Sequence, residues 1–236
     1  MTLSRYQAAR RLWHLVPEPL RTATRSSGAL GWLKGLIVPG DADLHDRVYD
    51  ADYYRGIDES TGQSAPLMVA CVVRDLHPRT LLDVGCGTGA MLAEFRRLGV
   101  DVRGLEYSEA ALRLCRSRGL QVERFNLEQD RIDRPGVAYD VVVSTEVAEH
   151  LPEPVADRYV DALVSQSATV VFTAATPGQG GRDHVNEQPH EYWIAKFSTR
   201  GYHMDEPLTR RWRDEWTGRV FPWFSQNVMV FRRAEA

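Results

Sequence analysis

The chain has 236 residues, a formal net charge of −3 at pH 7 and three cysteines. This length suits one domain with an elaborated terminus, and the slight negative charge argues against nucleic acid as a partner because it offers no overall attraction to a polyanion. The number of cysteines is odd and none of them has CxxC spacing, which favours reduced thiols. The sequence also has no apolar run of membrane-spanning length and no secretory pattern, so we predict a cytoplasmic protein.

Residues 1–40 form a basic, amphipathic segment in which Glu18 is the lone acid. Its basic residues are interleaved with apolar ones, and they are Arg5, Arg10, Arg11, Arg21, Arg25 and Lys34. We expect a helical extension that packs on the domain or on a second copy in a homodimer. A helix lying on a membrane surface or a transit peptide is the alternative interpretation.

From residue 66 onwards the pattern alternates between helix and strand. The predicted helices are Pro66–Leu76, Ala90–Leu98, Glu109–Arg118 behind a Ser108 cap, Pro154–Ser165 and Glu191–Thr199. The predicted strands are Thr80–Val84, Val100–Leu105, Val122–Phe125, Tyr139–Ser144, Ala168–Thr173, one that begins at Tyr202, and Asn227–Arg232. This alternation predicts an α/β fold with a doubly wound sheet, helices on both faces and ligands at the carboxyl ends of the strands. We therefore divide the chain into residues 1–65, an extension and lid, and residues 66–236, the domain.

The first predicted strand runs into a glycine-rich turn, Leu81-Leu-Asp-Val-Gly-Cys-Gly-Thr-Gly89. Glycines let the backbone turn sharply and approach a ligand, and the helix that follows offers unpaired N–H donors. The spacing Gly85-x-Gly87-x-x-Ala90 formally fits the dinucleotide fingerprint, which keeps an NAD-dependent dehydrogenase open as an alternative.

The whole turn resembles motif I of the class I S-adenosylmethionine (SAM)-dependent methyltransferases, through Asp83, Gly85, Cys86, Gly87 and Gly89. The resemblance covers roughly residues 66 to 233 and implies a Rossmann-like sheet of seven strands in the order 3-2-1-4-5-7-6, with the last strand antiparallel. It also implies SAM as cofactor. The further SAM-binding residues that it implies are Glu106 with Tyr107 at the ribose, Asn126 with Leu127 at the adenine, and Thr145.

Two of these implied contacts rest on particular side chains. Glu106 ends the second strand, where a carboxylate can accept hydrogen bonds from both ribose hydroxyls. Asn126 stands where such enzymes commonly carry Asp, but its amide oxygen can still accept a bond from the adenine amine. In many class I methyltransferases the segment before the first domain helix closes over SAM, which makes Tyr53 and Tyr54 candidate lid residues. A solvated loop with two surface tyrosines is the alternative.

Two carboxylates and an imidazole follow the fourth strand. If residues 146–150 form one helical turn, Glu146, Glu149 and His150 share one face at the carboxyl edge of the sheet. Two acids so close repel each other unless one is protonated or a cation binds between them. The glycine-rich loop after the fifth strand delivers His184 to the same edge.

This pattern resembles the metal-dependent O-methyltransferases, notably the small-RNA 2′-O-methyltransferases and the ubiquinone-pathway O-methyltransferases. The resemblance implies a divalent ion held by Glu146, Glu149, His150 and His184, with His190 as a rival fourth ligand. Mixed carboxylate and imidazole ligation suits Mg, Mn, Fe or Zn. Because Glu-His-Leu-Pro also occurs in methyltransferases without metal, His150 or His184 acting alone as the catalytic base is the alternative.

The predicted function is that of a SAM-dependent O-methyltransferase acting on a hydroxyl of a small acceptor such as a sugar, a phenol or another secondary metabolite. A 2′-O-methyltransferase of RNA 3′ ends and a non-catalytic SAM-binding partner subunit are the alternatives. Aromatic side chains that could wall an acceptor pocket, or pack in the core instead, are Trp193, Trp212, Trp216 and Trp223.

Overall fold

A computed structural model describes residues 51–132 and 139–234. Its α-helices are α1 (Ala51–Leu76), α2 (Ala90–Arg97), α3 (Glu109–Ser117), α4 (Ala156–Val164), α5 (His190–Ser198), α6 (Glu206–Trp216) and α7 (Pro222–Asn227). Its strands are β1 (Thr80–Val84), β2 (Asp101–Glu106), β3 (Val122–Arg124), β4 (Val141–Thr145), β5 (Thr169–Thr173), β6 (Tyr202–Met204) and β7 (Met229–Arg233). The basic segment of residues 1–40, with its homodimer interpretation, lies outside the described residues.

The seven strands form one sheet in the order β3-β2-β1-β4-β5-β7-β6. Strands β1 to β5 run parallel, whereas β7 runs antiparallel to both β5 and β6. This confirms the predicted Rossmann-like methyltransferase fold. The parallel part of the sheet brings the carboxyl ends of β1, β2, β4 and β5 to a single edge.

The sheet has a hydrophobic core on each face because successive residues of a strand point to opposite sides. On one face Leu81 and Val141 pack with α1 and α6, while on the other Leu82 and Val142 pack with α4 and α5. Central strands that are buried on both faces read as continuous apolar runs, which is why the sequence predicted β4 and β5 well.

Helix α1 begins earlier than the sequence predicted. It starts at Ala51 and runs for 26 residues, with Pro66 inside it, so the prediction of a helix beginning at Pro66 was wrong. Proline leaves the carbonyl four residues earlier without its N–H partner, but Gly62 and Pro66 both lie on the exposed side of the helix, where water can satisfy that carbonyl. The predicted division between residues 65 and 66 therefore falls within one helix. In the described ranges no helix has the length and apolar character needed to cross a membrane.

The region after residue 204 contains two helices that the sequence prediction lacked. Helix α6 begins behind Asp205, whose carboxylate accepts a hydrogen bond from the Leu208 amide at 3.1 Å, a regular N-cap. Helix α7 ends at Asn227, so the predicted start of the last strand at that residue was wrong and β7 begins at Met229.

Candidate functional site

A cavity of about 390 Å³ opens at the carboxyl edge of the sheet, beneath the first turns of α1. We call its two parts the glycine-loop end, formed by residues 83–89 with Glu106 and Asn126, and the histidine end, formed by residues 146–150 with His184. The predicted site residues that line the cavity are Asp83, Gly85, Cys86, Gly87, Glu106, Tyr107, Asn126, Leu127, Thr145, Glu146, Glu149, His150 and His184.

The glycine loop depends on three residues with left-handed backbone, Gly85, Gly87 and Gly89, whose φ angles are 78°, 53° and 74°. A Cβ at Gly89 would lie 2.5 Å from the Leu120 side chain, so this glycine permits close packing behind the loop and does not line the cavity. A Cβ at Gly87 would meet no protein atom within 4 Å and would extend into the cavity. Gly87 is therefore the position where a bound molecule can approach the backbone.

The Glu106 carboxylate organises this end through hydrogen bonds to the backbone. It accepts bonds from the amides of Gly87 at 2.9 Å, Tyr107 at 2.7 Å and Ser108 at 2.7 Å. Burial raises the pKa of Glu106, while these three bonds oppose the rise. A carboxylate offers about four acceptor positions, so the protein occupies most of them and leaves about one for a ligand hydroxyl.

Asp83 lies at the end of β1, is 2% exposed, and its Oδ1 has no hydrogen-bond partner among the described residues. Burial, followed by the negative charge of Glu106, raises its pKa to about 7. A buried acid with an unpaired oxygen attracts a positively charged or N–H-bearing group in the adjoining cavity.

Asn126 lines the cavity, but its amide oxygen is engaged in the turn that follows β3. The side-chain oxygen accepts a hydrogen bond from the Glu128 backbone amide at 2.9 Å, and the Asn126 backbone amide donates to Asp130 Oδ2 at 2.7 Å. This local Asx turn explains the residue type without reference to a ligand. One lone pair of the oxygen is left for the predicted contact with adenine.

Tyr53 and Tyr54, the lid candidates, both line the cavity from the first turns of α1. Their rings meet edge to face with centroids 5.3 Å apart, and the Arg182 guanidinium lies 5.0 Å from the Tyr53 ring centroid. Burial raises the pKa of Tyr53 to about 12, and the charge of Glu149 adds to the rise. The interpretation as a solvated loop with two surface tyrosines was therefore wrong, whereas lid motion stays a prediction.

The predicted helical turn over residues 146–150 is only partly present. A 3₁₀ turn spans Ala148–His150, but Glu146 precedes it in left-handed backbone with φ 54°. The Glu146 carboxylate accepts hydrogen bonds from Gln179 Nε2 at 2.8 Å and Asn227 Nδ2 at 3.2 Å. Burial raises its pKa, and these amides oppose the rise. Strained backbone of this kind concentrates at functional sites.

Glu149 is completely buried, and neither of its carboxyl oxygens has a hydrogen-bond partner among the described residues. Burial raises its pKa well above the usual range, and the neighbouring Glu146 carboxylate raises it further. The backbone amides of Glu149 and Ala175 lower the pKa of Glu149 in part, although neither completes a hydrogen bond to its carboxylate. Such a group is costly unless a proton or a cation neutralises it.

Glu149, His150 and His184 offer ligand atoms that all lie within 4.8 Å of one another. The two imidazole rings meet edge to face with centroids 5.0 Å apart. The amides of Val185 and Asn186 donate to the Glu149 carbonyl at 2.9 and 3.1 Å, which fastens the His184 loop to the 3₁₀ turn. The fourth predicted ligand, Glu146, is not in this group of three.

His184 is held by a glutamate that the sequence analysis overlooked. Glu187 Oε1 lies 2.8 Å from His184 Nδ1 and accepts the Gly180 amide at 2.7 Å, while its Oε2 accepts the Gly178 amide at 2.8 Å. Burial raises the pKa of Glu187, but these contacts outweigh it and the pKa lies below the usual range. An acid three residues after a histidine in a glycine-rich loop was the available signal.

The remaining predicted residues lie apart from this group. His190 starts α5, with its Nδ1 3.4 Å from Arg213, and it does not line the cavity. Of the four tryptophans, only Trp223 lines the cavity, whereas Trp193, Trp212 and Trp216 are fully buried in the core. The sequence analysis also overlooked Gln179 and Asn227, because nothing in the sequence relates these two positions to Glu146.

The sheet order, the glycine loop and the carboxylate after β2 match the fold of the class I SAM-dependent methyltransferases. Residues 82–167 match the model of a family described as a methyltransferase domain. The chain is 30% identical over 133 residues to a ubiquinone biosynthesis O-methyltransferase of Alkalilimnicola ehrlichii, which is 54% of this chain and 50% of the relative. It thus spans about half the length of the curated relatives that it matches.

Solved structures share the fold at lower identity. A SAM-bound amino pentose methyltransferase of Micromonospora echinaspora, involved in calicheamicin biosynthesis, superposes with a TM-score of 0.57 and 21% identity, covering 77% of this chain and 96% of that one. Magnesium protoporphyrin IX methyltransferase of Synechocystis, with bound S-adenosylhomocysteine (SAH), gives 0.56 and 16%, covering 81% and 94%. These two structures agree with the observed fold class.

Proposed function

We propose that this chain is a SAM-dependent O-methyltransferase for a small hydroxylated acceptor, and that a divalent cation takes part. The observation that carries the proposal is the convergence of Glu149, His150 and His184 in the same cavity as the glycine loop. The name of the curated relative, an O-methyltransferase, supports the choice of oxygen as the accepting atom.

The residues at the histidine end suit a cation in three respects. Glu149 has two buried oxygens that lack partners, and the donor set of one carboxylate and two imidazoles is typical of Mg, Mn, Fe and Zn sites. A Cβ at Gly181 would collide with the His184 ring at Nε2, so glycine at this position lets the ring pack against the loop backbone where it lines the cavity. Bound there, a divalent cation would supply charge that lowers the pKa of an acceptor hydroxyl.

The other proposed roles belong to the protein's own residues. Asp83, Gly85, Cys86 and Gly87 would hold SAM at the glycine loop. Glu106 with Tyr107 would bind the ribose, Asn126 with Leu127 would bind the adenine, and Thr145 would be a further contact of the cofactor. Methyl transfer is an in-line displacement, so most of the catalysis would come from holding the acceptor oxygen beside the sulfonium methyl. If no cation binds, His150 or His184 would accept the hydroxyl proton as a neutral imidazole.

A panel of phenols, catechols and amino sugars, incubated with protein and SAM, tests this proposal through the SAH formed. We expect turnover that chelator abolishes and added Mg²⁺, Mn²⁺, Fe²⁺ or Zn²⁺ restores, while SAM stays bound. Gly181→Ala should lose the restored activity, whereas Gly62→Ala, which adds a methyl in open space on α1, should retain it. Full activity in the presence of chelator would eliminate the cation and leave an imidazole base, and no turnover with any acceptor would favour a partner subunit.

A further inference from the structure

Glu187 contacts three groups of the loop that carries His184. Its two oxygens accept the amides of Gly178 and Gly180, and Oε1 also lies 2.8 Å from His184 Nδ1. Because backbone amides can only donate, both oxygens of Glu187 act as acceptors, as in an ionised carboxylate. The hydrogen between Glu187 and His184 then belongs to the ring.

We propose that Glu187 is a positioning residue that fixes His184 as the Nδ1–H tautomer, so that Nε2 carries the lone pair. Nε2 lies against Gly181, and both residues line the cavity. A histidine that ligates a metal almost always donates its other ring N–H to a carboxylate, a carbonyl or water, which orients the ring and raises its basicity. The inference deepens the proposed function and rests on it for the reaction that His184 serves.

The same carboxylate reaches the second acid of the histidine end through the loop. Gln179 lies between the two glycines whose amides Glu187 accepts, and Gln179 Nε2 donates to Glu146 Oε2 at 2.8 Å. By fixing the loop backbone, Glu187 therefore positions one ring nitrogen and the amide partner of Glu146 together. The second imidazole has a different neighbour, since His150 Nδ1 lies 3.4 Å from the Asp183 carbonyl oxygen.

The first test is the tautomer of His184 in metal-free protein, measured by nitrogen-15 NMR of labelled histidine, with the signal identified by its loss in His184→Gln. We expect a protonated Nδ1 in the wild type and a shift toward the Nε2–H tautomer in Glu187→Ala. Glu191→Gln, which removes a charge from an exposed position of α5, is the control and should leave the signal unchanged. An Nε2–H tautomer in the wild type would overturn the proposal, whether or not any variant folds.

The second test is Co²⁺ affinity, measured from the visible absorption of the bound ion. Glu187→Gln should weaken binding about 10- to 100-fold, as expected for a carboxylate behind a ligating imidazole, while SAM affinity stays unchanged. In a His184→Ala background the same change should add less than about twofold, because the two residues act as one unit. If Glu187→Gln lowers Co²⁺ affinity by the same factor in the wild type and in His184→Ala, the proposal is overturned, because Glu187 then only stiffens the loop.

The two tests separate the two proposals. If wild-type protein binds no Co²⁺, the proposed metal function fails, but the tautomer of His184 still decides the role of Glu187. If Co²⁺ binds and the Nδ1–H tautomer is absent, the metal function stands and the positioning role of Glu187 is wrong.

Discussion

Two glutamates in one cavity differ in their burial and in their hydrogen bonds, since Glu149 is fully buried and Glu106 only partly. Glu106, at the glycine-loop end, accepts three backbone hydrogen bonds, whereas Glu149, at the histidine end, has no partner for either oxygen among the described residues. The glycine-loop end is therefore organised before any ligand binds. At the histidine end the buried Glu149 needs a proton or a cation to neutralise it, and in the proposed enzyme a cation would do so.

The two ends of the cavity also differ in their backbone conformation. At the glycine-loop end every residue with positive φ is a glycine, whereas at the histidine end Glu146 and Asp183 adopt positive φ without being glycines. Non-glycine residues in this region store strain that the surrounding contacts must hold. Of the two ends, only the histidine end holds a non-glycine residue, Glu146, in left-handed backbone among the described residues.

The largest expected effect is on the pH dependence of stability, and it comes from Asp83. This residue lies at the glycine-loop end, but like Glu149 it has a buried carboxyl oxygen without a partner among the described residues. Its pKa is about 7 in the folded protein, against about 3.9 for an aspartate in an unfolded chain. Since the folded state holds the proton more tightly, its stabilisation is complete below the unfolded pKa and is lost as pH rises toward the folded pKa. Relative to Asp83→Asn, the wild type should lose on the order of 3 kcal/mol of unfolding free energy between pH 5 and pH 8.

Denaturant unfolding at several pH values measures this difference, with Asp101→Asn at the exposed start of β2 as the control for loss of charge. If the difference in unfolding free energy between wild type and Asp83→Asn does not change with pH, Asp83 is paired in solution. The glycine-loop end would then have no unpaired buried acid.

Glu106→Ala should weaken SAM binding on the order of 100-fold, because it removes a charged acceptor and leaves the amides of Gly87, Tyr107 and Ser108 unpaired. SAH should lose affinity equally, since both ligands carry the ribose. Calorimetry on the folded variant checks this, with Glu109→Ala, which lies outside the cavity, as the control. Unchanged affinity would contradict the role proposed for the glycine-loop end.

Gly87→Ala should weaken SAM binding on the order of tenfold, because the added methyl would occupy cavity space that the cofactor needs. Gly99→Ala is a matched control, since Gly99 has φ 86° and equally free surroundings but does not line the cavity. Both variants should lose a similar free energy of unfolding, and only Gly87→Ala should lose affinity. Equal affinities would place the cofactor elsewhere.

Asn126→Ala should have the smallest effect, below about fivefold in SAM affinity, because a neutral amide contact contributes about 1 kcal/mol. Its oxygen already accepts the Glu128 amide, so part of the loss should appear as lower stability of the turn. Parallel calorimetry and thermal unfolding separate the two contributions. A greater loss of SAM affinity than in Glu106→Ala would mean that the adenine and ribose positions are assigned wrongly.

The sequence predicted the local structure of the glycine-loop end well because the signals for it are local. The apolar run of β1, the glycine spacing and the Ser108 cap each lie within a few residues of the feature that they determine. The sheet order was confirmed, but it came from the resemblance, since strand order depends on contacts between distant segments.

The histidine end was harder to predict because its geometry depends on contacts between distant segments. Nothing within residues 146–150 indicates that Glu146 adopts left-handed backbone. In the structure its carboxylate accepts hydrogen bonds from Gln179 and Asn227, which lie far away in the sequence. The prediction that a helix begins at Pro66 was wrong although proline is a local signal. The helix continues through Pro66 because its exposed side tolerates the loss of one backbone hydrogen bond.

The count of Mn²⁺ ions bound per chain, measured by titration with electron paramagnetic resonance, tests the difference between the two ends most directly. The wild type should bind one ion, whereas Glu149→Gln, which keeps the side-chain shape and removes the charge, should bind none under the same conditions. Both proteins should bind SAM equally, because the glycine-loop end uses other residues. A wild type that binds no divalent ion, or a Glu149→Gln variant that binds it equally well, would contradict the account.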